Sequence, residues 1–152
     1  MSAFGWPARV YWEDTDAGGI VYYANYLKYL ERARTEWLRA LGFSQQQLAR
    51  DTGIGFTVVS LSIEYKRPAR LDDELLVTCE PRSEGAASLS FGQRILRAGA
   101  AAGAATHTVS HPDSDSLLVT ADVRVACVDV GTLRPQRLPQ ILLSALAARE
   151  SA

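Results

Sequence analysis

The sequence predicts an α+β fold in which one antiparallel sheet packs on one long helix. Three observations carry this. A single long stretch, residues 23–42, places apolar residues at helical spacing. After residue 55 the period changes from helical to two, in runs separated by short turn sequences. Strands joined by hairpin-type links run antiparallel, and a helix with a wide apolar stripe needs a sheet face to cover it.

Residues 9–13 alternate polar with apolar positions and are rich in strand formers, which predicts a short first strand. The loop 14–18 follows and delivers Asp16 just before Gly18 and Gly19. From about Tyr23, the residues Tyr26, Leu27, Leu30, Ala33, Trp37, Leu38 and Leu41 define a helix of roughly five turns, with Gly42 as its stop. Residues 44–50 read as a short helix capped by Ser44 and broken by residues 51–55.

Val59, Leu61, Ile63 and Tyr65 then alternate with Ser60, Ser62, Glu64 and Lys66, which predicts a long half-buried strand ended by Pro68. Residues 74–80 and 88–96 read as two more strands joined by the turn 82–85. Residues 98–115 are Ala-Gly-rich at first, contain His107 and His111, and show no sustained apolar period; they read as a flexible insertion loop. A last apolar strand over 118–128, a connection over 134–139 and a short helix over 141–148 close the chain.

The 152 residues, 47% hydrophobic and 22% charged, fit one globular domain over 1–152. A net charge of -1 gives no general attraction to nucleic acid or anionic membrane, so nucleic-acid binding is disfavoured. No basic segment followed by an apolar run opens the chain, and no stretch reaches transmembrane length, so the expected location is cytoplasmic with no membrane span. Cys79 and Cys127 lie inside strand-like apolar runs and read as reduced, buried thiols.

The candidate reactive group is Asp16, an acid at a tight turn that leads into a helix. A helix N-terminus offers free N–H groups and the positive end of the dipole, which suits a developing oxyanion. Considered singly, such a residue is usually an ordinary loop or cap aspartate. Asp14 reads as a turn or cap residue, Asn25 as the helix cap, and Tyr22, Tyr26 and Trp37 as core. Glu31 is expected to pair with an arginine one turn away. His107 and His111, near Asp113 and Asp115, would suit a metal only if helical; beside Pro112 they read as loop, and no metal is expected.

Residues 14–43, DTDAGGIVYYANYLKYLERARTEWLRALGF, resemble the signature of hotdog-fold acyl-CoA thioesterases. The similarity is greatest to the 4-hydroxybenzoyl-CoA thioesterase branch and, within it, to the YbgC-like group associated with the bacterial Tol–Pal system. It extends through residues 60–73, SLSIEYKRPARLDD, and the strand over 123–128. The resemblance implies an antiparallel sheet wrapped around a central helix, and hydrolysis of an acyl-CoA thioester to free acid and coenzyme A. By position, Asp16 takes the role of nucleophile or general base, and the backbone N–H of Tyr23 that of oxyanion donor. Gly19 and the basic cluster Lys66, Arg67 and Arg70 are the implied contacts to substrate and its coenzyme A phosphates.

No cofactor is implied, since coenzyme A is part of the substrate. The expected assembly is a homodimer with sheets joined edge to edge and an active site shared between subunits, paired again into a homotetramer, with association to cell-envelope or lipid-synthesis proteins. Many members of the Tol–Pal group carry histidine where this chain has Tyr23, whereas benzoyl-type members carry tyrosine. The insertion between Leu96 and Leu117 is longer than the family usually shows. The alternative is a non-catalytic acyl-CoA-binding or scaffold hotdog protein linked to the Tol–Pal system. A hydratase of the same fold would need a histidine in the site, and both histidines lie in the insertion.

Overall fold

Where the sequence alternates by two beyond residue 55, the chain forms strands, and where it repeats at helical spacing it forms a helix laid on them. The computed structural model describes residues 3–98, 108–109 and 116–150. Strand β1 (Ala3–Arg9) leads through a 3-10 turn (Trp12–Asp14) and a second one (Tyr23–Asn25) into helix α1 (Tyr26–Ala40). A short helix α2 (Gln45–Thr52) precedes strands β2 (Ile54–Tyr65), β3 (Glu74–Ser83) and β4 (Ser88–Arg97). Strand β5 (Thr108–Val109), strand β6 (Leu117–Asp129) and helix α3 (Gln140–Glu150) follow. The strands form one sheet in the order β2-β6-β4-β3-β1-β5, every pairing antiparallel.

The first strand is earlier than the alternation over residues 9–13 suggests. At Tyr11 the chain leaves the sheet, because the Asp14 carboxylate takes the Tyr11 N–H and the Asp14 N–H bonds back to the Tyr11 carbonyl. That closure favours a tight turn over an extended one. Strand β1 instead runs through Pro7, and β3 through Pro81. Among the described residues both prolines sit where their strand has one neighbour: β5 pairs Ala3 and Phe4, and β1 reaches as far as Cys79 on β3. An edge tolerates a missing N–H. The expected insertion over 98–115 lies outside the described residues, apart from Ala98 and the Thr108–Val109 pair on β1.

Helix α1 buries Tyr26, Tyr29, Leu30, Ala33, Trp37 and Leu38 on one face. It ends as the glycine suggests: Phe43 N–H bonds to Leu38 O and Gly42 N–H to Arg39 O, which satisfies the last carbonyls. Ser44 caps α2 through the Gln47 N–H at 3.2 Å. The helix packs on the concave face of the sheet, with the rings of Trp37 and Phe91 edge to face at 5.1 Å. A buried amide stitches the layers together, since Gln93 Nε2 donates to Leu30 O at 3.1 Å and to Thr78 O at 3.2 Å. Cys79 and Cys127 are buried and free, and burial raises the pKa of both thiols.

On β2, Phe56, Val58, Leu61, Ile63 and Tyr65 stand opposite the buried Cys127, Val125, Val123, Ala121 and Val119 of β6, so they share the concave face. The extra residue of a bulge, Val59, interrupts the register. Helix α1 does not cover this strand fully: Val58, Leu61 and Tyr65 are exposed, as is Val59.

Candidate active site

Asp16 stands at the tip of a tight hairpin. Thr15 bridges Val21, the Asp16 N–H donates to Ile20 O at 2.9 Å, and the Gly19 N–H donates to Asp16 O at 3.0 Å. The Gly18 N–H holds Asp16 Oδ1 at 2.8 Å, and the carboxylate remains exposed. The two glycines are local necessities. Gly19 has a φ of +78°, and a Cβ on Gly18 would lie 3.1 Å from Asp16 Oδ1, against the carboxylate it positions.

Asp14 joins this hairpin to the helix. Its carbonyl accepts both the Tyr22 N–H and Asn25 Nδ2, each at 2.9 Å, while its buried carboxylate takes the Tyr11 N–H at 2.9 Å. Asn25, expected to cap, makes no side-chain cap bond to α1 and reaches back to the hairpin instead. The 3-10 turn Tyr23–Asn25 therefore starts at a point set by Asp14. As first residues of that turn, Tyr23 and Ala24 carry N–H groups with no acceptor inside it. The Tyr29 phenol is buried near the Asp14 carboxylate. Burial first, then the nearby Asp14 carboxylate, pushes its pKa well above the ordinary value of 10.0.

Residues 66–73 form a strap along the same end of the molecule. Ile20 bridges Arg70, the Val21 N–H donates to Ala69 O at 2.9 Å, and the Ala69 N–H donates to the Tyr26 hydroxyl at 3.0 Å. Lys66, Arg67 and Arg70 are all exposed on it. Lys66 Nζ pairs with Glu64 at 3.1 Å, and Arg67 Nη1 reaches Leu117 O at 3.5 Å. Asp73 steadies the strap, accepting the Arg70 N–H at 2.9 Å and Arg97 Nε at 3.0 Å. An aromatic wall faces it: Tyr65 donates its hydroxyl to Tyr23 O at 3.1 Å, and the Tyr22–Tyr23 and Tyr26–Tyr65 ring centroids are 4.9 and 5.5 Å apart. Tyr26 and Trp37 are core as expected, whereas Tyr22 is exposed.

A separate cavity of about 150 Å³ lies under the second half of α1, lined by neither Asp16 nor Tyr23. Glu31 stands at its rim, but pairs with Thr35 rather than an arginine: Gln45 Nε2 donates to Thr35 Oγ1, which donates to Glu31 Oε1, each at 2.8 Å. Arg34 also borders the cavity, with Nη1 donating to Gln93 Oε1 at 3.0 Å, and burial lowers its pKa. The remaining wall is apolar and includes Trp37, Leu38, Phe56, Val58 and Phe91. Arg34 and Gln93 escaped the sequence reading because their partners are far apart in the chain. The signal present was a glutamine at the position of the strand alternation otherwise held by Leu89, Phe91 and Ile95.

Among the described residues no three His, Cys, Asp or Glu gather as metal ligands, and no helix is long and apolar enough to cross a membrane. His107 and His111 lie outside the described residues. A family model described as Thioesterase-like superfamily matches residues 10–146. The chain is 42% identical over 139 residues to a Haemophilus influenzae protein named acyl-CoA thioesterase YbgC, covering 91% of this chain and 90% of that one. It is 43% identical over 141 residues to an Escherichia coli O6:H1 protein named acyl-CoA thioester hydrolase YbgC, covering 93% of each. A crystal structure of a probable thioesterase from Bartonella henselae matches with a TM-score of 0.75 at 33% identity, covering 91% of this chain and 100% of that one. The fold of a Synechocystis 1,4-dihydroxy-2-naphthoyl-CoA thioesterase matches with a TM-score of 0.80 at 24% identity, over 97% and 98% of the two chains. With its sheet, its central helix and a family match over nearly the whole chain, this protein belongs to the thioesterase-like, hotdog-fold superfamily.

Proposed function

We propose that the protein is an acyl-CoA thioesterase in which Asp16 attacks the thioester and the Tyr23 N–H stabilises the carbonyl oxygen. The observation that carries this reading is the pair of bonds to the Asp14 carbonyl, which ties the Asp16 hairpin to the turn that opens α1. Relatives covering more than nine-tenths of the chain carry names of acyl-CoA thioester hydrolases, which supports the substrate class.

The chemistry suits a lone carboxylate. A thiolate leaves readily because a thiol pKa is about 8.5, so expulsion needs little acid help. The demanding part is charge on the carbonyl oxygen, where one fixed N–H donor is worth about 3 kcal/mol in other enzymes. As nucleophile, an Asp16 oxygen bonds to the carbonyl carbon, the C–S bond breaks, and water hydrolyses the resulting anhydride. As general base, Asp16 takes a proton from water, hydroxide adds to the carbonyl, and coenzyme A leaves as thiolate. Both routes end in free acid and coenzyme A, and neither calls on a cofactor. Gly19, with nothing within 4 Å of where a Cβ would stand, leaves room for the substrate at the hairpin. Arg70, Arg67 and Lys66 on the adjacent strap supply cations for the coenzyme A phosphates.

The assembly proposed is a homodimer joined through β2, paired again into a homotetramer. Its support is the edge of β2, left unpaired among the described residues, which carries exposed Val58, Val59 and Leu61. A cytoplasmic site of action and a link to Tol–Pal or lipid-synthesis proteins remain part of the proposal on family grounds. The test follows coenzyme A release from aliphatic and aromatic acyl-CoAs for wild type and Asp16→Asn of equal circular dichroism. A loss of at least a hundredfold in kcat is expected, and equal rates would remove Asp16 from the chemistry. Tight acyl-CoA binding with no turnover by wild type would favour the scaffold alternative.

A further inference from the structure

We infer that Tyr65, 42 positions from Tyr23 in the chain, is a positioning residue for the hydrolysis: its hydroxyl holds Tyr23 at the angle that aims the Tyr23 N–H at the carbonyl oxygen of the substrate. This rests on the reading of that N–H as the donor to the oxyanion. The Tyr23 N–H belongs to the peptide that joins Tyr22 to Tyr23, and its direction depends on what holds the peptides on either side. On the near side, the Tyr22 N–H donates to Asp14 O at 2.9 Å. The joining peptide is held at its own carbonyl, since Tyr22 O accepts the Asn25 N–H at 2.8 Å. On the far side a side chain takes over, and the Tyr65 hydroxyl donates to Tyr23 O at 3.1 Å. The first two bonds lie within one short stretch of chain and move with it. The Tyr65 bond refers that stretch to the sheet.

Tyr65 is itself firmly placed. It stands opposite Val119 of β6, and the Lys66 and Arg67 N–H groups that follow it both donate to Leu118 O, at 2.8 and 3.1 Å. Its ring lies 5.5 Å from that of Tyr26, which is buried and whose hydroxyl accepts the Ala69 N–H. It meets the Tyr23 ring edge-on at 6.3 Å. Burial first, then Tyr23, raises the Tyr65 pKa above the ordinary 10.0, so the phenol keeps the proton it donates. An oxyanion donor works only when aimed at the place where charge develops, and removing one costs on the order of a hundredfold or more. Loosening one costs part of that. Because the Tyr65 bond is made within the protein, its worth falls on the chemical step rather than on substrate binding.

Tyr65→Phe keeps the ring and removes the hydroxyl alone. With whichever aliphatic or aromatic acyl-CoA wild type turns over fastest, kcat should fall about tenfold while KM stays within about twofold. The second readout is the infrared stretch of an isotope-labelled thioester carbonyl bound to Asp16→Asn. A hydrogen bond to the carbonyl lowers that frequency, so adding Tyr65→Phe should shift it back toward its value in free solution. A merely structural role would lower the melting temperature and leave kcat and frequency in place. An unchanged kcat, a loss confined to KM, or an unmoved frequency would therefore overturn the role of Tyr65. Wild-type turnover by Asp16→Asn would instead overturn the role of Asp16, with the kcat of Tyr65→Phe still deciding that of Tyr65. A wild type without turnover would overturn both.

Discussion

At the residue scale, the relation between Asp16 and Tyr23 depends on a side chain that touches neither. Asn25 Nδ2 reaches the Asp14 carbonyl at 2.9 Å and so sets where the helix turn begins relative to the hairpin. Asn25→Ala should lower kcat between about tenfold and a hundredfold, because small misplacements of reacting groups are costly. The stability loss should be only about 1 kcal/mol, the usual net worth of one hydrogen bond. Stopped assays with saturating acyl-CoA and a thermal melt check this, and a kcat equal to wild type would show that Asp14 and Tyr22 suffice. The tight turn that carries Asp16 was legible from its block of sequence, since an acid, two glycines and a helix start are contiguous. Asn25 was legible as a helix-start residue, but not its target, which lies eleven positions back and is reached only once the hairpin has folded.

At the scale of elements, periodicity identified α1, β4 and β6, because each has one buried face and repeats its apolar residues accordingly, and it identified β2 by the same alternation although most of that strand is exposed. It failed at β1, where Pro7 concealed a strand and the alternation over residues 9–13 imitated one. It also cut β3 short at Pro81. Local chemistry decides both outcomes: edge position admits the prolines, and the Asp14 carboxylate folds Tyr11 out of the sheet. A similar carboxylate device follows β6. Asp129 Oδ1 accepts the N–H groups of Gly131 and Thr132 at 2.8 and 2.9 Å, and these bonds hold its pKa below the ordinary 3.8. A carboxyl with a lowered folded pKa contributes stability above its unfolded value and loses it as pH falls through the folded one. Asp129→Asn should therefore flatten the acid limb of stability below about pH 4, while leaving its neutral-pH end less affected by pH. Urea midpoints between pH 2 and pH 6 would reveal this, and an acid limb as steep as wild type would exclude Asp129 as its source.

At the scale of the whole molecule, β2 has the edge, unpaired among the described residues, that joins two copies in the proposed dimer. Val59→Lys combined with Ser62→Lys should shift the protein from dimer toward monomer at micromolar concentration, since like charges would meet across the paired edges. Sedimentation velocity reads this directly, and a wild type that is monomeric throughout would refute edge pairing. The cavity beneath Trp37 belongs to this scale too. It lies between layers contributed by α1, α2, β2, β4 and β6, so no local pattern announces it.

The opposite edge of the sheet is treated differently. There β5 covers Ala3 and Phe4, and Pro7 withholds an N–H from the part of β1 that has no second neighbour among the described residues. In the proposed dimer one margin would take a neighbour and the other would turn it away, so strand addition would end after a single event and the chain would be protected from growing into a fibre.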